Sequence, residues 1–226
     1  MSSIRSAIKR LLPAGRQRRR VVRGIFYGLQ LHLDLGSETL IWLGLYEQET
    51  HFHLVRLSTG AASFLDIGAG KGELVCWWLR RFPGMPVMAV EPNPRELDIL
   101  RLNVAANFEA TPAALSIWPG FAGPGAATTH RELGTLCAGV PDPVFIKLDI
   151  DGGEADLLQG STKFLAAHPC RLLVEVHSLE LESSCLKILR ECGYQCEIVD
   201  FAWWRRWLPE RRPIPHNRWI SAQRVA

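Results

Sequence analysis

Three glycines at alternate positions, Gly68, Gly70 and Gly72, follow an apolar run that carries one acid, Asp66, near its end, and a helical pattern begins at Glu73. The order implied is strand, tight turn, helix. Glycine opens positive φ to the backbone and removes the Cβ atoms that would keep a ligand off the main chain, and a helix start offers unpaired N–H groups. A nucleotide-like cofactor suits such a turn. The spacing D-x-G-x-G-x-G matches neither the dinucleotide fingerprint G-x-G-x-x-G nor the phosphate loop G-x-x-x-x-G-K-[ST], because Lys71 is followed by Gly72. Glu91 ends the next strand-like stretch, about 20 residues on, where doubly wound folds grip a ribose diol. Asn93, two residues beyond, is grouped with the cofactor-binding positions and also reads as a helix N-cap before Pro94.

A second group offers acid–base chemistry. In the run from Val144 to Asp151, period-two alternation puts Phe145, Lys147, Asp149 and Asp151 on one face, so two aspartates gather at a strand's carboxyl end. Glu175 and His177 share a face at the end of the following strand, Cys170 to His177. Histidine is the side chain whose unperturbed pKa lies nearest neutrality, which makes His177 the candidate general base. Asp149, Asp151 and Glu175 also form an oxygen-rich set that could take Mg²⁺, but no dedicated metal motif is present, and the residue types favour a metal-free site. The bland alternative is that His177 only braces a loop. Glu154 reads as an acid in the first turn of a helix.

Elements of alternating type must position these groups, so an α/β fold is expected. Strands are expected over 62–67, 85–90, 113–117, 144–151, 170–177, 194–200 and 218–225, with helices after most of them. The stretch 118–143, rich in Gly, Pro and Ala, reads as loop with one turn of helix. Because ligands of open α/β sheets sit beyond the strands' carboxyl ends, the acids and His177 should converge on the glycine turn. Three parts follow: a basic tail (1–20), a hairpin and helix (21–60) that would lid the cleft, and the cofactor domain (61–226). Within 21–35 the leucines alternate, suggesting the hairpin, and a helix is expected over 37–57.

With 226 residues and 47% hydrophobic content the chain can bury one substantial core. No apolar run reaches the ~18 residues of a membrane span, and the start lacks a secretory apolar block, so a cytoplasmic protein is expected. Six cysteines without a C-x-x-C pair read as reduced. Eight arginines and lysines precede the first acid, Asp34, and leave the remainder net acidic. Residues 1–20, with Ile4, Ile8, Leu11 and Leu12 at helical spacing, could lie on an anionic membrane at the inner face, form an arm touching nucleic acid or be a solvated terminus; no specific nucleic-acid partner is expected. Trp203, Trp204 and Trp207 among arginines could stack sugar rings, meet a membrane interface or pack over a sheet edge.

The D-x-G-x-G-x-G turn resembles motif I of the class I S-adenosylmethionine (SAM) dependent methyltransferases. Taken with Glu91-Pro92, Asn103, Lys147-Leu-Asp-Ile-Asp-Gly-Gly-Glu154, Glu175-Val-His177, Gly193-Tyr194 and His216-Asn217, the chain resembles the FkbM-type methyltransferases over about residues 40–222. The resemblance implies a Rossmann-like, seven-stranded, mostly parallel sheet flanked by helices. It also implies O-methyl transfer from SAM to a hydroxyl of a sugar, glycolipid or natural product. Asp66, Gly68, Gly70, Gly72, Glu91 and Asn93 would then hold SAM, and Asp149, Asp151, Glu175 and His177 would serve the acceptor. Gly70 replaces a frequent Asn and Asp151 a usual Glu, and the segment between Ser116 and Val144 is short for the family. The rival is a degenerate fold of this type that binds a partner without turnover.

Overall fold

The computed structural model describes residues 15–206 and 216–224. Its centre is a seven-stranded sheet. In chain order the strands are β3 (Ser63–Ile67), β4 (Val87–Val90), β5 (Leu115–Trp118), β8 (Val144–Leu148), β9 (Arg171–Val176), β10 (Tyr194–Val199) and β11 (Arg218–Arg224). They lie side by side as β10-β11-β9-β8-β3-β4-β5, and all neighbours are parallel except around β11, which runs antiparallel to both β9 and β10. The chain steps outward from β3 to β4 and β5, then returns to β3's other side as β8. The carboxyl ends of β3 and β8 are therefore a topological switch point, where a crevice opens.

Period-two alternation divides the core in two. Phe64, Phe145, Leu173 and Trp219 face one layer, in which Phe64 stacks on Trp78 (5.1 Å) and on Phe145 (5.0 Å). Leu65, Ile67, Ile146, Leu148, Leu172 and Val174 face the other. The first layer is covered by α2 (His51–Ser58), α3 (Glu73–Arg81) and α4 (Pro94–Asn107), the second by α6 (Glu154–Gly160), α7 (Thr162–Ala167) and α8 (Leu179–Glu191). Helix α3 begins at Glu73 as expected from the sequence, with Glu73 at its positive end and Arg80 and Arg81 at its negative end. Helix α4 starts as expected, Asn93 accepting a hydrogen bond from Arg95 N and Pro94 following.

The N-terminal part differs from expectation. The hairpin does not lie within 21–35: its strands are β1 (Arg16–Arg20) and β2 (Gln30–Asp34), paired Arg16 to Asp34, and residues 21–29 form the turn. Alternation exposed β2, since Leu31 and Leu33 are buried, but a strand reading Arg-Gln-Arg-Arg-Arg carries no apolar signal. It is held by Glu38, which takes both Arg16 and Lys71. Thus Arg16–Arg20, expected in a tail, belong to the fold, while Ile4, Ile8, Leu11 and Leu12 lie outside the described residues. The helix expected over 37–57 is two, α1 (Leu35–Trp42) and α2, with a 3₁₀ turn at Gln48–Thr50 between them.

Residues 118–143 hold more structure than expected: β6 (Phe121–Ala122) pairs with β7 (His130–Arg131), and a short helix α5 (Leu133–Leu136) follows. All six cysteines are free, and five are buried. Among the described residues no helix is long and apolar enough to cross a membrane.

Candidate active site

The glycine turn is pinned between neighbours. Gly68 N and Ala69 N donate to Val90 O (2.9 and 3.0 Å), and Asp149 N donates to Ile67 O (3.1 Å). All three glycines have positive φ, but their surroundings differ. At Gly68 a Cβ would lie 1.8 Å from Asp149 O, and at Gly72 it would lie 2.6 Å from the Leu100 side chain. These two positions are glycine because the turn is pressed against the end of β8 and against α4. At Gly70 nothing lies within 4 Å, so the family's frequent Asn would fit.

Glu91 joins the second strand to that turn. One carboxylate oxygen accepts from Gly70 N (2.9 Å) and the other from Asn93 N (2.7 Å), so the side chain is fixed while each oxygen keeps a lone pair for a ligand hydroxyl. Lys71 does not point at a phosphate position; its ammonium sits 2.6 Å from Glu38. Buried Asn103 braces the same turn, donating to Lys71 O (2.8 Å) and accepting from His32 N (2.6 Å).

Asp66 lies beneath the turn, 1% exposed, with Lys147 Nζ 4.0 Å away. Burial pushes its carboxyl up to about 7, even against the opposing charge of Lys147. Lys147 is itself buried, donating to Gly68 O and to Asp149 Oδ2, both at 3.0 Å. Burial alone would lower its pKa, but the carboxylates of Asp149 and Asp66 outweigh that and hold it charged.

A cleft of about 430 Å³ opens where these elements meet, lined by Gly68, Glu91, Pro92 and Phe121 on one side and Asp149 and Asp151 on the other. Gly68, Glu91 and the acids Asp149 and Asp151 therefore share one space, and Glu175 and His177 are not among its lining residues. Asn93 serves as the α4 cap rather than lining the cleft. Phe121 and His130, stacked at 5.0 Å, wall it from the segment the sequence left unplaced. Their only sequence signal is position, since the loop after a third strand must border the crevice.

The four expected acceptor residues do come together. His177 Nε2 is 3.7 Å from Asp151 Oδ1, 3.7 Å from Glu175 Oε2 and 3.9 Å from Asp149 Oδ1. Burial first, then the bond and charge of Asp149, pushes the Glu175 carboxyl up. Asp149 is also raised by burial, but Lys147 and the bond from Glu175 hold it below the ordinary carboxylate range. The two carboxyls thus titrate as a pair, Glu175 raised and Asp149 lowered.

Asp151 has φ of 55°, a region that Asp enters more readily than Glu, which gives a physical reason for the departure from the usual residue. Glu154, fully buried, fixes this bend by accepting from Ile150 N and Gly152 N (both 3.0 Å), so its role is structural, as expected. From the N-terminal part, Tyr46 and Glu47 reach the group. Glu47, burial and the charges of Glu175 and Asp149 all raise the Tyr46 hydroxyl pKa. Their spacing gave no hint of this, because the contact is long-range.

Trp204 is half-buried, donates to Gln48 Oε1 (3.0 Å) and lines a separate hollow with Arg23 and Leu45. Trp203 is 76% exposed, so packing over the sheet edge does not describe it. Trp207 lies outside the described residues.

Residues 127–196 match the family model described as Methyltransferase FkbM domain, a span that includes Lys147–Glu154 and Glu175–His177. No curated protein matches by sequence. Among solved structures, the FkbM methyltransferase of Methylobacillus flagellatus superposes with TM-score 0.55 at 19% identity, over 71% of this chain and 43% of that one. This chain thus spans under half of that relative's length. A SAM-dependent O-methyltransferase from Thermotoga maritima gives 0.52 at 16% identity, over 80% and 66%. A Streptococcus pneumoniae protein in complex with S-adenosyl-L-methionine gives 0.52 at 16%, over 80% and 74%. Residues 127–196 are thus similar to the FkbM methyltransferase domain, and the chain has the fold of these solved methyltransferases.

Proposed function

We propose that the protein transfers the methyl group of SAM to a hydroxyl oxygen of a sugar, glycolipid or natural product. One observation carries this reading: Gly68 of the glycine turn, Glu91 and the group Asp149–Asp151 line the same cleft. Glu91 would hold the ribose diol, Gly68 and Gly70 the methionine side, and Phe121 the base. Asp66 would act from beneath the turn, through Lys147 and the backbone.

Methyl transfer is an in-line displacement at a sulfonium carbon. The acceptor oxygen forms the new C–O bond, and the C–S bond breaks with its electron pair going to sulfur. The products are S-adenosylhomocysteine and a methyl ether. The protein's share is alignment of donor and acceptor and removal of the hydroxyl proton. The acids and His177 beyond β8 and β9 are the groups at the acceptor end that can take part in that removal.

Incubation with methyl-labelled SAM and a panel of glycosides and glycolipids tests the reading. The label is expected in an acid-stable methyl ether, with loss of at least a hundredfold in Asp149→Asn, within the range for positioned acid–base groups. Label found on nitrogen or carbon would redirect the acceptor class. No transfer to any acceptor by a chain that binds SAM would favour the binding-module alternative.

A further inference from the structure

We propose that Asp149, Asp151 and His177 hold one divalent cation at the acceptor end of the cleft. One ligand atom from each lies within 4.8 Å of the others, although they come from two strand ends and a following bend. Cations bound at 2.0–2.6 Å bring their ligands to separations of about this size.

Hydrogen bonding does not account for the placing of His177. Both ring nitrogens of His177 are shielded from solvent and have no hydrogen-bond partner. Its Nε2 faces three carboxylates at 3.7–3.9 Å, too far for a bond and suited to a shared central ion. A ligand at Nε2 would give this shielded imidazole the partner it lacks.

Charge points the same way. Lys147 bonds Gly68 O and Asp149 Oδ2, while Asp149 Oδ1 lies 3.9 Å from His177 Nε2. Two carboxylates and a neutral imidazole form a mixed oxygen and nitrogen set, suited to Mn²⁺ or Mg²⁺ more than to a thiol-seeking metal. Asp151, 71% exposed on its side chain, provides the entry path.

The function of such an ion rests on the methyl-transfer reading above. A hydroxyl coordinated to it would be acidified, its proton passing to water, and His177 would be a ligand rather than the base that residue types alone suggest. Binding itself can be tested without turnover.

The full chain is titrated with Mn²⁺ and followed by electron paramagnetic resonance. The expected result is one Mn²⁺ per chain, with modulation from a coordinated nitrogen. His177→Gln should lose that modulation, and His177→Gln and Asp151→Asn should each bind at least tenfold more weakly. Asp156→Asn, a carboxylate in the same cleft outside the set, should bind normally. Thermal melts confirm that each variant is folded. Free Mn²⁺ signal undiminished at millimolar metal overturns the proposal. So does equal uptake by His177→Gln, or equal weakening by Asp156→Asn, which would indicate diffuse attraction. If SAM binds and no cation does, this inference fails while the proposed function stands; bound cation without methyl transfer has the reverse meaning.

Discussion

Gly68→Ala is expected to abolish cofactor binding and to cost about 2–6 kcal/mol of stability. A φ of 76° costs an L-residue about 1–3 kcal/mol. The added Cβ would then sit 1.8 Å from Asp149 O, a backbone atom that cannot rotate away. Relief requires β3 and β8 to separate, and such overpacking typically costs a further 1–3 kcal/mol. The same displacement would pull Asp149 away from Lys147 and His177, so binding and chemistry should fail together. Gly70→Asn is the matched control, because its Cβ meets nothing and Asn tolerates positive φ. It should lie within about 1 kcal/mol of the parent in urea unfolding. Equal stability of the two variants would show that the turn is not pressed on β8.

Lys147→Met should be about as damaging, by a different route. The methionine fills similar volume but removes the buried cation among Asp66, Asp149 and Glu175. Breaking a buried pair from one side costs about 3–5 kcal/mol. The loss should depend on pH in a definite direction. A carboxyl whose folded pKa lies above its unfolded value favours the folded state in acid, and that contribution disappears as pH rises through the folded pKa. Asp66 belongs to this class even with Lys147 present, being pushed up to about 7. Without Lys147 the neighbouring acids join it. The deficit of Lys147→Met should therefore be largest above pH 7 and shrink toward pH 5, which unfolding curves across that range measure. A deficit independent of pH would mean that Lys147 contributes packing and not charge.

What the sequence revealed, it revealed through local rules. The turn from Asp66 to Gly72, the start of α3, the Asn93 cap and the structural role of Glu154 each follow from a few consecutive residues whose types have narrow conformational uses. The gathering of Asp149, Asp151, Glu175 and His177 followed from period-two alternation plus the rule that ligands sit at strand ends. The misses have physical causes too. Strand β1 is held by ion pairing to Glu38 and by its partner β2, and its arginines give no apolar alternation. Strands β6 and β7 have two residues each, below any period. Tyr46 and Glu47 approach the acids only because the N-terminal part folds back over the sheet. The missing hydrogen bonds of His177, which turn a base into a candidate ligand, are visible only in three dimensions.

The central claim is that this cleft binds SAM through the glycine turn and Glu91, and calorimetric titration measures it directly. SAM and S-adenosylhomocysteine should each bind at one site per chain, and NAD should not bind with comparable strength. Glu91→Ala should weaken both sulfur ligands by about 10- to 150-fold, the equivalent of about 1.5–3 kcal/mol for hydrogen bonds to a charged group. Absence of heat with either ligand, or equal affinity in a folded Glu91→Ala protein, would contradict the account.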